Sequence, residues 1–377
     1  MKLTTAGESH GKALLAIIEG LPAHLALDVE KINEALALRQ SGYGRGARQK
    51  IERDAVEILT GVRNGETLGS PVALCIYNRD YENWKSSMSA GACDEAAMQK
   101  KALTKVRPGH ADLTGMLKFA QNDARNILER ASARETAIRV AACEVYRQYL
   151  AMLGVEIGGL VREVCGIKDD GEYTFEELKK TTPVGMLDER ASVLAQKKID
   201  ELKKAGDTAG GVVEIRVRGL KSGFGNVMTY SEKLDSQIAA GIMSIQAAKG
   251  VEIGAGFAVA ETSGKDIHDE IFYDETKGFY RNTNRAGGIE GGMSNGEEIV
   301  IRVAMKPIPT LMKGLQTVDF TTKEAATAAS ERSDVCAIFA FKIIAESVVA
   351  QVLADAVQKR LGGDTMAQVQ ARYNDLP

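Results

Sequence analysis

Two histidines in this chain stand beside glycine in stretches that read as loops. His10 lies in Gly7-Glu8-Ser9-His10-Gly11, and His110 lies in Val106-Arg107-Pro108-Gly109-His110-Ala111-Asp112. An imidazole with an ordinary pKa of about 6.5 can give or take a proton near neutrality. Flanking glycines let another molecule come close. The first stretch also fits Gly-x-Ser-x-Gly, the nucleophile elbow of hydrolases. An elbow needs a strand before it and a helix after it, whereas here six residues precede and a strand-like apolar run follows. A plain glycine-flanked turn is the third reading of the same residues, and a turn-borne surface histidine is the ordinary reading of His110. His24 and His268 stand in polar contexts and read as structural or surface.

Arginines supply the complementary charge. The stretch RQSGYGRGARQKIER (39–53) sets Arg39, Arg45, Arg48, Lys50 and Arg53 against Glu52 alone, in a chain of net charge −3. Its glycines at 42, 44 and 46 predict a flexible loop. A solvated basic loop is the bland account. Nucleic acid would find only Tyr43 to stack on, and a small polyanion suits guanidinium forks better. ERASARETAIRVAA (129–142) gathers Arg130, Arg134 and Arg139 at a helix start, where free N–H groups favour an anion. Ser132 and Glu135 there predict a capping box. AGGIEGGMSNG (286–296) is a glycine-rich loop before a strand, with Lys306-Pro307-Ile308-Pro309-Thr310 beyond it. Ser333 or Asp334 is placed to cap the last helix. No zinc-type spacing, P-loop or dinucleotide glycine fingerprint is present, so no metal site is expected. Taken alone, the residues point to an enzyme that acts on a small, strongly anionic molecule by proton transfer.

The elements that must hold these residues are legible in outline. The 377 residues, 44% of them apolar, can bury a large core, and no Pro- or Ser-rich linker divides them, so one domain over 1–377 is expected. Strands are predicted near 13–18, 56–62 and 72–77, with others in GGVVEIRVRG and EEIVIRVAMKP. Helices are predicted over 28–39, 111–122, 133–153, 187–205, 230–249 and 335–361. The fold class is α/β of the α+β type, because strands and helices bunch without the regular alternation of a dinucleotide fold. GVEIGG (154–159) and GVEIGA (250–255) each follow a predicted helix, which suggests an internal duplication or a chance match. Five scattered cysteines without a Cys-x-x-Cys pair predict reduced thiols and a cytoplasmic protein. Neither a signal peptide nor a membrane span is expected, since Lys342 and Glu346 interrupt the longest apolar stretch.

Eight segments together resemble the chorismate synthase family: GESHGKALLAIIEGLP, RQSGYGR, RPGHAD, RASARETAIRVAA, KGVEIGAGF, AGGIEGGMSNG, KPIPTL and RSDVCA. They run from residue 7 to residue 337 in the family's order. The resemblance implies a single large β-α-β sandwich domain with internal pseudo-duplication, assembled as a homotetramer. It implies a carbon–oxygen lyase that converts 5-enolpyruvylshikimate 3-phosphate to chorismate and phosphate. That reaction is an anti-1,4-elimination requiring reduced FMN without net redox change, and it ends the shikimate pathway to the aromatic amino acids.

Carried onto this chain, the resemblance makes His10 the acid for the departing phosphate. His110 protonates or holds the reduced flavin, and Asp334 assists removal of the C6 proton. Arg39, Arg45, Arg48, Arg107 and Arg134 match positions that hold substrate anions. Arg130, Ala131, Ser132, Gln246, Ala247, Gly291, Lys306, Pro307, Ile308, Pro309, Thr310 and Arg332 match flavin-contacting positions. Gln246 stands where the family often has Asn. Arg39 and Arg45 also match positions assigned to NADP in parts of the family, with NADPH as a source of reducing equivalents. Without a dinucleotide fingerprint, a separate flavin reductase is the expected source. Neither nucleic acid nor membrane is expected as a partner.

Overall fold

The computed structural model describes residues 1–46, 53–276, 278–329 and 333–377. Two antiparallel sheets organise them. The first runs Lys2–Ala6, Ala13–Glu19, Val72–Tyr77 and Glu57–Thr60 in spatial order. The second runs Ala248–Ile253, Ile299–Met305, Gly211–Arg218, Glu156–Val164 and Ile167–Lys168. The helix Thr136–Ala151 packs on the first sheet, and the helix Ile338–Leu361 packs on the second and on Thr136–Ala151. Both helices are apolar round most of their circumference, as helices with neighbours on every side must be. Tyr146, Tyr149, Ile138, Val349 and Leu353 are all buried between them. Each such side chain stabilises the fold by roughly 1.5–3 kcal/mol relative to exposure.

The sheets include strands outside the predicted set, such as Lys2–Ala6 and Ile167–Lys168. Ala13–Glu19 is half-buried and not fully buried: Leu14, Ala16 and Ile18 face the helices, while Leu15 and Ile17 lie outward and exposed. The helix predicted over 230–249 is shorter, Leu234–Met243. Good helix formers continue beyond it, but Ala248 must pair with Met305 at the sheet edge, and Ala247 turns the chain with a φ of 71°. Sheet pairing overrides local propensity there. The two GVEIG words take matching places. Glu156–Val164 and Ala248–Ile253 flank the central pair Gly211–Arg218 and Ile299–Met305, and each follows a helix. Among the described residues no helix is long and apolar enough to cross a membrane. Lys342 and Glu346 sit buried in the helix Ile338–Leu361 as an ion pair at 2.8 Å.

One buried charge in the helix layer has a measurable consequence. Glu144 accepts no hydrogen bond from the described residues, and burial pushes its carboxyl up to about 7, with Arg147 opposing and Glu346 adding. The folded state therefore takes up a proton that the unfolded chain does not hold between about pH 4.5 and 7. The stability this group contributes is full below the lower value and is lost as pH rises through the upper one. Glu144→Gln is expected to stabilise the protein above pH 7 by about 1–3 kcal/mol and to flatten that part of the pH dependence. Urea unfolding at pH 5 and pH 8 checks it; equal gains at both would refute it.

Candidate active site

His10 occupies the turn between Lys2–Ala6 and Ala13–Glu19, a strand–turn–strand setting that disqualifies the hydrolase elbow. Its Nδ1 lies 2.8 and 3.0 Å from the two carboxylate oxygens of Glu129, and its backbone N–H donates to the same carboxylate at 2.8 Å. The imidazole stacks on Trp84 at 3.9 Å between ring centroids. Glu129 also faces Arg125 at 3.3 Å. Burial alone would raise the Glu129 carboxyl, but the hydrogen bonds and charge of His10, together with Arg125, outweigh it and hold it below the usual carboxylate range. The turn is fixed by Asn78, whose amide donates to the carbonyls of Glu8 (3.1 Å) and Gly11 (2.8 Å). Ser132 donates to Ser9 at 3.3 Å.

His110 repeats the device. Its Nδ1 lies 2.5 Å from Asp112, which Arg107 grips through Nε (2.8 Å) and Nη2 (2.9 Å). An ionised carboxylate only accepts, so Nδ1 carries the proton in both histidines. Burial would raise the Asp112 carboxyl; the hydrogen bonds and charges of His110 and Arg107 overcome this and hold it well below the usual range. The loop is tied down by Thr317, which donates to the Val106 carbonyl at 2.7 Å, and by Lys306, which donates to the Gly109 carbonyl. Burial, with the charge of Lys249 adding, lowers the Lys306 ammonium from its ordinary value.

The arginines converge on two carboxylates. Asp54, its side chain fully buried, takes Arg134 at 2.7 Å and faces Arg39 at 3.8 Å. Arg134 also donates to Asn78 through Nε (3.0 Å) and Nη2 (2.8 Å), which couples this cluster to the His10 turn. The helix Val29–Gln40 delivers Arg39, which donates to the Thr136 hydroxyl and the Ala133 carbonyl. Arg45 pairs with Asp334 at 2.9 Å, and Asp334 also accepts the Gly46 N–H at 2.6 Å. Burial lowers the Arg39 and Arg45 guanidinium groups, opposed by Asp54 and Asp334 respectively. Arginine stays protonated nonetheless. Among the described residues, three guanidinium groups here face two carboxylates.

Several local expectations are corrected. The described part of the predicted loop, 41–46, is irregular and half-buried, and at Gly44, with φ 86°, an added Cβ would lie 3.0 Å from Cys336 and Ile199; residues 47–52 lie outside the described residues. Neither Ser333 nor Asp334 caps the helix Ile338–Leu361, which starts after Ala337 and is itself followed by the helix Met366–Asn374. Ser333 donates to the Thr310 carbonyl at 2.7 Å, and Asp334 serves Arg45. The capping box does not close, because Glu135 accepts instead from Thr5 (2.9 Å) and Gln246 (3.3 Å); only the Ser132 half survives, accepting from the Arg134 N–H.

Most expected residues join one network. Arg107 reaches Thr310, the Lys306 N–H donates to the Ala247 carbonyl, Gln246 reaches Glu135, and Arg130 donates to Thr5 and the Gly7 carbonyl. Pro309 lies 3.4 Å from where a Cβ on Gly109 would stand, and the Ile308 carbonyl accepts from Thr208 at 2.8 Å. Pro307 packs by Gly210, and Ala131 ends the helix that carries Arg130. Gly291, exposed in a separate hairpin, makes no described contact with these residues. Arg48 and Arg332 lie outside the described residues. Glu129, Asp112, Asp54, Asn78 and Trp84 went unassigned in the sequence reading. Only Asp112, two positions from His110, and Glu129, at the head of the arginine-rich stretch, carried a local signal. A shallow depression of about 530 Å³ lined by Asp235, Val251 and Arg285 contains none of the expected residues.

Comparison with known proteins agrees with the eight segments. The family model described as chorismate synthase matches residues 1–358. A chorismate synthase from Caldicellulosiruptor bescii is 50% identical over 371 residues, covering 97% of this chain and 96% of its own. One from Geobacter sulfurreducens is 51% identical over 384 residues, covering 99% and 97%. A crystal structure titled as chorismate synthase superposes with a TM-score of 0.76 at 38% identity, over 99% of this chain and 96% of that one.

Proposed function

The chain belongs to the chorismate synthase family, and from that premise we propose that it eliminates phosphate from 5-enolpyruvylshikimate 3-phosphate to give chorismate. It is a lyase: the C3–O bond to phosphate and the C6–H bond break, and the new double bond completes a ring diene. The observation that supports this reading is the coupling of a carboxylate-held histidine, His10, to a buried arginine cluster. Arg134, through Asn78, joins the anion-holding side to the His10 turn.

His10, with Nδ1–H held by Glu129, turns Nε2 toward bound ligand and gives its proton to the departing phosphate. Arg39, Arg45 and Arg134, with Arg48 and Arg107, hold the phosphate and the two carboxylates of the substrate. Fixed guanidinium groups in a site shielded from water favour the charge that gathers on the leaving oxygen. Asp334, oriented by Arg45 and the Gly46 N–H, helps draw the C6 proton. Asp112 fixes the Arg107 guanidinium by accepting from its Nε and Nη2.

Reduced FMN fits the residues present. The buried side-chain oxygen of Gln246 has no hydrogen-bond partner among the described residues, and a flavin ring N–H would satisfy it. Gln246, Ala247, Arg130, Ala131, Ser132, Lys306 to Thr310, Gly291 and Arg332 would hold the cofactor, with His110 holding or moving a proton at the ring. When bound, it supplies electron density as phosphate leaves and recovers it afterwards, so no net redox change remains. We assign its reduction to a separate flavin reductase that draws on NADPH. Arg39 and Arg45 serve substrate in this reading. The protein acts as a cytoplasmic homotetramer of single-domain chains spanning 1–377. The chain is a β-α-β sandwich whose two GVEIG units are related by duplication, a reading supported by their matching places in the second sheet.

The test is anaerobic. Protein, dithionite-reduced FMN and 5-enolpyruvylshikimate 3-phosphate are mixed, and chorismate absorbance and free phosphate are followed together. Equal yields of both, absent with oxidised flavin, establish the reaction. Neither product from a folded protein that binds FMN would replace it with a non-catalytic binding role.

A further inference from the structure

We infer that Glu129 is the positioning residue of His10, fixing its tautomer and the direction in which its Nε2 faces. The inference rests on His10 acting as the acid.

Both oxygens of Glu129 are committed to His10: Oε1 and Oε2 to Nδ1 at 2.8 and 3.0 Å, and Oε2 also to the backbone N–H at 2.8 Å. The Glu129 carbonyl accepts the Ser9 N–H at 2.9 Å, so main chain and side chain hold the turn together. The Glu129 side chain is 1% exposed and that of His10 is 10% exposed. An ionised carboxylate in so dry a place attracts an imidazolium far more strongly than one in water. It keeps the proton on Nδ1 and leaves Nε2, which no described residue engages, as the atom that gives the second proton away.

The other charges around the ring weaken this attraction without replacing it. Arg125, from the same helix, shares Oε1 at 3.3 Å. Trp84 covers the ring by stacking; Lys101 from the helix Glu95–Lys101 lies 3.7 Å from its centroid, and Asp80 accepts the indole N–H at 3.0 Å. Glu129 is thus the sole carboxylate in hydrogen-bond contact with His10 among the described residues.

Trp84 also provides the readout. It is the single tryptophan of the chain, and an imidazolium stacked on an indole quenches its emission more than neutral imidazole does. Trp84 emission titrated against pH in the free protein reports the His10 proton, and His10→Ala should abolish that titration. In Glu129→Gln the midpoint is expected to fall by at least about one pH unit, because the charge favouring the imidazolium is gone. The high-pH limb of turnover in the anaerobic assay should fall with it. Loss of turnover at every pH with an unmoved midpoint would mean a merely structural role and overturns the inference. A moved midpoint with an unmoved turnover limb leaves the pairing standing and removes His10 as the acid, so the two failures are distinct. Should the variant not fold, ¹⁵N-histidine labelling of the unaltered protein, assigned with His10→Ala, decides. Neutral His10 protonated at Nδ1 supports the inference, and protonation at Nε2 overturns it.

Discussion

Replacing His10 by alanine lowers turnover by about 10²–10⁴, the range that a positioned proton donor contributes. The loss falls on turnover and not on folding. The His10 turn is held by the Asn78 amide and by the Ser9 N–H, neither of which uses the imidazole. The carboxylate left behind still accepts the backbone N–H of residue 10 and still faces Arg125. Free phosphate and chorismate should fall together, because one bond rearrangement makes both. Substrate affinity should hold, since the arginine cluster does not depend on the imidazole. Turnover unchanged in a folded variant would strike out the acid assigned here. His110→Ala should also slow turnover, by about tenfold or more, but with weakened FMN binding alongside, because that histidine belongs to the Lys306–Thr310 side of the network.

Arg134→Ala is expected to cost about 3–5 kcal/mol of stability, the penalty for breaking a buried ion pair by removing one partner. Asp54 would keep its buried charge with Arg39, at 3.8 Å, as its remaining ion-pair partner among the described residues, where its other oxygen accepts no hydrogen bond. Asn78 would lose both guanidinium bonds, which frees the residue that pins the His10 turn. Denaturant unfolding measures the loss, and substrate titration should show weakened binding in whatever protein remains folded. Adding Asp54→Asn to Arg134→Ala removes the stranded charge and should restore part of the stability. A double variant no more stable than the single one would locate the cost elsewhere. Arg134→Lys should restore charge but not function, since an ammonium cannot reach Asn78 and Asp54 in two directions as a guanidinium does.

Much of this was written locally in the chain. The glycine-flanked histidines, the excess of arginine in 39–53 and the Lys306–Thr310 run announced proton transfer on an anion before any fold was known. Most helices and strands followed from periodicity, because a buried face leaves its period in the sequence. The failures share a cause. The helix over 230–249 was read too long because the pairing that stops it lies some fifty residues away, in Ile299–Met305. Asp334 and Glu135 were read as helix caps because short polar side chains before a helix usually are. Each instead meets a residue remote in sequence, Arg45 and Gln246 respectively.

The sequence by itself determined which side chains could donate, accept or carry charge, and which segments would be strand or helix, since both depend on residue type and short-range spacing. Only the tertiary structure decided which carboxylate belongs to which cation. Glu129 is 119 residues from His10, Asp334 is 288 from Gly46, and Asp54 is 80 from Arg134. A buried charge takes its partner from whatever the packing brings within about 3 Å, and that choice, more than the residue's own identity, sets whether a histidine can act as an acid.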